Sequence, residues 1–231
     1  MPGCSNDEKM GEFRRIAEAA RVLASGGLVV YPTETLYGLG ADALNPAALS
    51  RLIELKGRKP GKPIAVLISD LAMLAELAID IPAPAQALMR RFWPGPLTIV
   101  LRARKHVSPL LTGGGGIGVR LSSHPLATAL VSALSRPVTT PSANPAGLPP
   151  PRSLAQARAY CGERVDYYLD AGLLPGEPAS TVVDAREELT VLRHGAIAAE
   201  DIHSTVSLAG RVSNRIKEEW KTGDGKPETG N

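Results

Sequence analysis

The chain has 231 residues and a net charge of +3, with 44% apolar and 21% charged residues, the balance of an ordinary globular domain. Its longest apolar stretches have strand length and its charged N-terminus lacks a hydrophobic signal core, so we expect neither a membrane span nor secretion. Two cysteines, Cys4 and Cys161, exclude a disulfide scaffold and a four-cysteine zinc site and are typical of a cytoplasmic protein. Aromatic residues make up only 4%, which argues against a protein that stacks single-stranded bases on rings.

The positive charge is concentrated in two segments. Residues 51–62 contain five lysines and arginines against one glutamate, and residues 90–105 contain five with no acid. If the two segments meet in space, they form a face that binds anions. If they do not, they are solvated helix ends and a turn, and the sequence leaves both alternatives open.

Hydrophobic periodicity predicts helices that alternate with short strands. The first helix stops at Gly26-Gly27, and the second opens at Asn45-Pro46, a capping residue followed by a first-turn proline. In chain order, the predicted elements are helix 7–25, strand 28–31, helix 46–56, strand 63–69, helices 70–77 and 83–92, strands 97–102 and 117–121, helix 125–135, strand 138–140, helix 153–160, strands 167–170, 181–184 and 189–193, and helix 198–204.

This order of elements predicts one α/β or α+β domain over residues 1–206, in which helices flank a twisted mixed sheet. Residues 207–231 are polar and mixed in charge, so we expect a mobile C-terminal tail there. The glycine run at 113–116 is expected to form a flexible loop.

The common catalytic signatures are absent from the chain. Residues 57–62 (GRKPGK) have too short a spacer for a phosphate loop, and Pro63 stands where the loop needs a hydroxyl. No GxGxxG, HExxH or GxSxG motif occurs, and the four histidines are scattered without ligand spacing. We therefore predict no metal ligands in the protein.

Hydroxyls, cations and glycines in turns remain as candidate site residues. In residues 31–43 (YPTETLYGLGADA), Thr33 and Thr35 follow a strand, a position where ligands often bind, although a structured turn explains them too. Lys56 and Arg58 can reach neighbouring phosphates if the chain leaves the second helix extended. Otherwise they are helix-end cations that complement the helix dipole.

Arg120 lies in the middle of an apolar strand. It needs a carboxylate, from the protein or from a ligand, because an arginine is rarely buried unpaired. Further candidates are weak signals one by one: Thr140, Ser142, Asn144, Ser180 and Arg193.

Taken together, residues 15–200 resemble the YrdC/Sua5 family of threonylcarbamoyl-AMP synthases. The shared motifs are PTET-YGLGADA, KxR (Lys56 and Arg58), PGPLTIVL, GVRL, SxN (Ser142 and Asn144), STVVD and LRHGAI, in order and in register. The segment SANPAGLPPPRS is similar to that of the short bacterial, TsaC-like form, so we expect no Sua5-type C-terminal domain.

The resemblance implies an activity and its partners. Such enzymes combine L-threonine, bicarbonate and ATP, with Mg²⁺ on the ATP phosphates, into threonylcarbamoyl-adenylate and pyrophosphate. The product feeds the t6A modification of adenosine 37 in tRNA, which a separate transferase complex completes. The resemblance also implies a YrdC-like fold with a concave basic face suited to double-stranded RNA.

The resemblance also assigns residue roles by position. Lys56 and Arg58 are the expected catalytic residues and would hold the ATP phosphates. The expected ATP site is completed by Lys62, Ser142, Asn144 and Arg193. The expected threonine site comprises Thr35, Arg120, Thr140 and Ser180, with Arg120 on the threonine carboxylate. Because the substrate supplies the nucleophile, no covalent intermediate is expected on Ser142 or the cysteines.

The chain departs from the family pattern at a few positions. Gly116 stands where many relatives have a hydroxyl residue, four residues before the arginine. Ala146 and Pro150 replace serines, and Leu67 stands where some relatives have a histidine near threonine.

Two other functional classes remain as alternatives. One is a module that binds duplex RNA in a salt-sensitive way and does not turn over ATP. The other is a YciO-type paralogue, or a carbamoyl-transfer domain like that of hydrogenase maturation proteins, which normally carries more cysteines. The intact KxR and SxN elements favour the synthase.

Overall fold

A computed structural model of the chain describes residues 6–57, 61–176 and 178–209. The helices are α1 (Asn6–Ala24), α2 (Pro46–Lys56), α3 (Leu71–Leu77), α4 (Ala83–Phe92), α5 (Pro125–Leu134), α6 (Leu154–Cys161) and α7 (199–209). The strands are β1 (Val29–Pro32), β2 (Tyr37–Gly40), β3 (Val66–Leu67), β4 (Ala78–Ile79), β5 (Leu97–Ala103), β6 (Thr112–Gly113), β7 (Gly116–Arg120), β8 (Val138–Thr139), β9 (Tyr167–Tyr168), β10 (Thr181–Asp184) and β11 (Thr190–Arg193). The mixed α/β class is confirmed.

The strands form a larger and a smaller sheet. The larger has the order β11-β10-β5-β7-β3-β8, with β4 beside β5 and β6 beside β7, and it mixes parallel and antiparallel pairs. The smaller has the order β2-β1-β9. Isolated bridges from Gly38 to Ser142 and from Asp42 to Val138 join the two sheets. They bring two segments predicted as polar turns to the same place.

Two apolar clusters form the core. One packs α1 and α5 against β1 and includes the fully buried Leu23, Val29 and Leu130. The other includes Leu52 of α2 and Ile99 of β5, also fully buried. Truncation of such a leucine to alanine typically costs about 2–5 kcal/mol, so these clusters hold the sheets and helices in place.

Helix α2 ends so that Lys56 is its last residue. The side-chain oxygen of Asn45 accepts hydrogen bonds from two main-chain N–H groups of the first turn, and Pro46 follows it. Gly57 ends the helix with φ +56°, a left-handed conformation that glycine adopts without strain. The predicted bounds of this helix are confirmed.

The glycine run at 113–116 is a β-hairpin, so the prediction of a flexible loop there was wrong. Gly113 pairs with Gly116, and Gly114 and Gly115 alone connect the two strands. Both connecting residues have positive φ, +54° and +76°, as the favoured two-residue hairpin turns require. Gly114 and Gly115 thus form the tight turn of this hairpin.

Strand β2 lies in a segment that the sequence analysis treated as a turn. A Cβ at Gly38 would lie 3.2 Å from the ring of Tyr31 on β1, and one at Gly40 would lie 3.0 Å from it. Because β1 and β2 pair, both glycines leave room for this buried ring. They are needed for packing within a strand.

Other elements differ from prediction in length. Of the predicted strand 63–69 only β3 joins the sheet, and Pro63 has no N–H to donate to a ladder. The final helix runs over 199–209, so residues 207–209 of the predicted tail are helical, and residues 210–231 lie outside the described residues. None of the helices in the described part of the chain has the length and apolar character to cross a membrane.

Candidate functional site

An open cleft of about 700 Å³ lies where the two sheets meet, a size typical of small-ligand sites. Segments from both sheets, the end of α2 and the β6–β7 hairpin line it. Its polar and charged lining residues are Thr33, Thr35, Tyr37, Lys56, Thr98, Arg120, Thr140, Ser142, Ser180, Asp184, Arg186 and Arg193.

Arg120 ends strand β7 and is only 4% exposed. Its Nη2 lies 2.8 Å from Glu34 Oε1, an ion pair whose alignment is poor for a hydrogen bond. Its Nε donates to the main-chain oxygen of Gly95 at 3.2 Å, and Ser122 Oγ donates to Glu34 Oε2. The carboxylate that the sequence required beside Arg120 is therefore supplied by the protein.

The environment of Glu34 keeps this carboxyl ionised. Burial raises the pKa of Glu34, but the charge and contact of Arg120 and the hydroxyl of Ser122 outweigh burial, and the pKa lies below its ordinary 4.5. A guanidinium has five N–H donors, and the contacts above account for two of those on Arg120. Arg120 therefore retains N–H groups for a ligand in the cleft.

Arg193 and Ser180 contact each other inside the cleft. Arg193 Nη2 donates to Ser180 O at 2.8 Å and to Ser180 Oγ at 2.9 Å, and Nε donates to Ser180 O at 3.1 Å. Burial and the nearby charge of Arg120 lower the pKa of Arg193, although an arginine remains charged at neutral pH. Arg193, which was predicted to bind ATP, thus contacts Ser180, which was predicted to bind threonine.

Lys56 is 5% exposed and connects the end of α2 to the turn after β8. Its Nζ donates to the main-chain oxygens of Ser142 at 2.5 Å and Asn144 at 2.6 Å. The Asn144 side chain donates from Nδ2 to Leu148 O, while its buried Oδ1 has no hydrogen-bond partner among the described residues. Lys56 of the KxR motif therefore contacts the SxN motif, 86 residues further along the chain.

Seven of the ten predicted site residues line this cleft: Thr35, Lys56, Arg120, Thr140, Ser142, Ser180 and Arg193. Asn144 is buried nearby without lining it. Lys62 is exposed between Gly61 and Pro63, which both line the cleft. Arg58 lies outside the described residues.

The four positions that depart from the family pattern lie in or near the cleft or in the core. Gly116 and Pro150 line the cleft. Leu67 is fully buried in the core cluster that contains α1 and α5, and Ala146 donates its main-chain N–H to Lys56 O at 3.0 Å.

Sequence reasoning missed Glu34, Asp184 and Arg186. Glu34 stands between two threonines of the PTET motif, and that position was the available signal. Asp184 ends β10 and forms an ion pair with Arg186 at 2.6 Å, and both line the cleft. An acid at the end of an apolar strand, two residues before a base, was the signal there.

Metal ligands are scarce in this site. No three His, Cys, Asp or Glu side chains of the described residues come together in a way that could hold a metal ion. Asp184 is the one carboxylate among the described residues that line the cleft. Cys161 is buried and does not line the cleft, and burial raises the pKa of its thiol, which disfavours the nucleophilic thiolate.

Comparison with known proteins identifies the family. Residues 21–195 match the Sua5_yciO_yrdC family model, described as telomere recombination. Threonylcarbamoyl-AMP synthase of Pyrococcus abyssi is 38% identical over 201 residues, which are 86% of this chain and 59% of that protein. Threonylcarbamoyl-AMP synthase of Alkalilimnicola ehrlichii is 40% identical over 163 residues, 70% of this chain and 84% of that protein. The chain thus spans under two thirds of the Pyrococcus protein.

Solved structures share the fold. Pyrococcus abyssi Sua5 complexed with L-threonine has a TM-score of 0.80 at 37% identity, covering 84% of this chain and 57% of that one. Escherichia coli YciO has a TM-score of 0.75 at 27% identity, covering 82% of this chain and 93% of that one. The family model and these folds cover most of the described chain, and the chain therefore belongs to the Sua5/YciO/YrdC family.

Proposed function

We propose that the chain is an L-threonylcarbamoyladenylate synthase, a nucleotidyltransferase that joins L-threonine, bicarbonate and ATP and releases pyrophosphate. The main support is the convergence in one cleft of seven residues from distant parts of the sequence, three of them cations. Relatives from two organisms carry the synthase name, and a Sua5 structure contains L-threonine.

The threonine subsite is centred on Arg120. Its remaining N–H groups bind the carboxylate of the amino acid, while Glu34 and Gly95 hold the guanidinium in place. A hydrogen bond to a charged group contributes about 1.5–3 kcal/mol. The hydroxyls of Thr35, Thr140 and Ser180 complete this subsite.

The ATP subsite lies on the side of Lys56. Lys56 brings a positive charge to the cleft, and we assign Arg58 and Lys62, which follow it in the sequence, to the same subsite. Ser142, Asn144 and Arg193 complete the subsite. Mg²⁺ arrives as part of the Mg–ATP substrate, which suits a cleft whose described lining has one carboxylate residue, because Mg²⁺ on nucleotides is held largely by phosphates and water.

The reaction follows from placing the two substrates side by side. The threonine amine condenses with bicarbonate: a C–N bond forms, a C–O bond of bicarbonate breaks, and a carbamate and water result. A carbamate oxygen then attacks the α-phosphorus, a new O–P bond forms, and the bond to pyrophosphate breaks. Catalysis rests on positioning and on cations such as Arg193, which lies beside Ser180 at the junction of the subsites.

The product is a reactive mixed anhydride, so a group-transfer step must consume it. We place that step in t6A modification of tRNA, carried out by a separate transferase complex. The basic segments 51–62 and 90–105 would form a concave face for tRNA or another RNA duplex, which predicts salt-sensitive binding.

The proposal is tested by pyrophosphate release from the purified protein with Mg–ATP. Release should require both L-threonine and bicarbonate. Salt-sensitive binding of duplex RNA without any release would instead support the RNA-binding module. Absence of both release and RNA binding would point to a YciO-type paralogue with another substrate.

Two variants separate the proposed subsites. Arg120→Lys loses the forked donor and should raise the KM for threonine about tenfold to a hundredfold, with little change for ATP. Arg58→Ala should raise the KM for ATP by a similar factor and leave threonine unaffected. The assignment is wrong if the two effects are exchanged or if either variant is indistinguishable from wild type.

A further inference from the structure

Arg186 occupies the space that the absence of a side chain at Gly116 leaves in the cleft. A Cβ on Gly116 would lie 3.0 Å from both Cδ and Cζ of Arg186 and 2.8 Å from Cγ1 of Val100. Most Cβ contacts in proteins are longer, so a side chain at position 116 would require both Arg186 and Val100 to shift from their present positions.

Arg186 also fixes the β6–β7 hairpin. Its Nη1 donates to Gly114 O at 2.6 Å and to Gly113 O at 3.3 Å. Its Nε and Nη2 donate to the carboxylate of Asp184, and these hydrogen bonds lower the pKa of Asp184. Four of the five guanidinium N–H groups are thus engaged in holding the hairpin to the end of β10.

This hairpin borders the proposed phosphate end of the cleft. A Cβ on Gly113 would lie 3.0 Å from Cγ of Pro63, so Gly113 packs directly on the segment that follows Lys56. Four consecutive glycines lose more backbone entropy on ordering than other residues would. The hydrogen bonds from Arg186 to Gly113 and Gly114 offset this entropy loss. Gly113, Gly114 and Gly116 all line the cleft, so the ordered hairpin forms part of its wall.

We propose that Arg186 is a positioning residue of this site: it holds the glycine hairpin against the triphosphate end of the cleft, and Gly116 is the partner that makes room for it. This inference rests on the proposed function for the identity of the triphosphate and for its kinetic readout. The geometry of the hairpin is independent of the activity.

The first test compares Arg186→Met with Arg21→Met. Arg21 is a matched control because it also pairs with an acid, Glu18, but lies exposed on α1. Arg186→Met should raise the KM for ATP about tenfold with little change in the KM for threonine, and Arg21→Met should change neither. Equal kinetics of the two variants would overturn the proposal.

A double-mutant cycle tests whether a side chain at position 116 acts through Arg186. Gly116→Ser should raise the KM for ATP, because the new side chain displaces Arg186. In an Arg186→Ala background, which lacks both contacting atoms of Arg186, the same change should cost at least threefold less. The contact with Val100 is present in both backgrounds and cancels. Strictly additive effects would contradict the proposal.

Hydrogen exchange provides a readout that needs no activity. Main-chain amides of residues 112–118 should exchange faster in Arg186→Met than in wild type, while those of β5 stay protected. If wild type releases no pyrophosphate, the proposed function fails and this measurement still tests the role of Arg186. Unchanged exchange in the hairpin would refute that role.

Discussion

At the scale of single residues, the buried pair of Arg120 and Glu34 sets the electrostatics of the cleft. The two side chains are 5% and 16% exposed. Removing such charges from water costs several kcal/mol per ion, and their mutual attraction and hydrogen bonds offset that cost. Each partner therefore depends on the other, and a ligand carboxylate meets an arginine whose charge is already partly balanced.

We predict that Glu34→Gln destabilises the fold. The change leaves Arg120 buried without its counter-charge, which typically costs about 3–5 kcal/mol. Urea unfolding at pH 7 measures the loss. Glu76→Gln is the control, because Glu76 is exposed on α3 and its change should stay within about 0.5 kcal/mol of wild type. Equal stability of the two variants would show that the pair contributes nothing.

The pH dependence of this difference has a definite sign. The pKa of Glu34 is lower in the folded chain than its ordinary 4.5, so the folded state binds fewer protons and the stabilisation is present above that value. It disappears as the pH falls and the carboxyl becomes neutral like the amide of Gln. The difference in unfolding free energy between wild type and Glu34→Gln should therefore shrink on acidification below about pH 4.5. A difference that grows would contradict the assignment.

At the scale of elements, Lys56 joins a helix end to a turn. Its Nζ donates hydrogen bonds to the carbonyls of Ser142 and Asn144. Lys56→Met should leave these groups unsatisfied and lower the unfolding free energy by about 1–3 kcal/mol. Lys62→Met, at an exposed position, is the control and should have almost no effect on stability. If both variants unfold alike, Lys56 acts through its charge alone.

Elements with local signals were predictable from the sequence. Asn45, Pro46 and Gly57 bound α2 through caps that act within one turn, so its limits were predicted correctly. Gly38 and Gly114 are the same residue type in different roles. Gly38 leaves room for the ring of Tyr31, whereas Gly114 adopts the positive φ of a hairpin turn. Only the pairing of strands distinguishes these roles, and pairing is not a local property.

Contacts between distant residues also limited what the sequence could predict about the site. Seven of the twelve polar and charged residues that line the cleft were predicted as site residues, since the motifs carry polar residues at the ends of strands and helices. The partners Glu34 and Arg120 lie 86 positions apart, and Arg186 meets Gly113 across 73 positions. Contacts at such separations follow from topology, so the sequence required a carboxylate for Arg120 without identifying which one.

At the scale of the whole molecule, the junction of two sheets creates the cleft. The bridges from Gly38 to Ser142 and from Asp42 to Val138 connect the smaller sheet to the edge of the larger one. Because the proposed subsites adjoin where Arg193 contacts Ser180, each bound substrate should favour the binding of the other. We predict that Mg–ATP and L-threonine together raise the melting temperature more than the sum of their separate effects, measured by calorimetry. Purely additive shifts would contradict adjacent subsites.

The most direct measurement is mass spectrometry of the product formed with ¹³C-bicarbonate. The protein is incubated with Mg–ATP, L-threonine and labelled bicarbonate and is quenched within seconds. We predict threonylcarbamoyl-adenylate that is one mass unit heavier than with unlabelled bicarbonate, formed in proportion to pyrophosphate. Pyrophosphate without the labelled adenylate, or no turnover by folded protein, would contradict the proposed synthase.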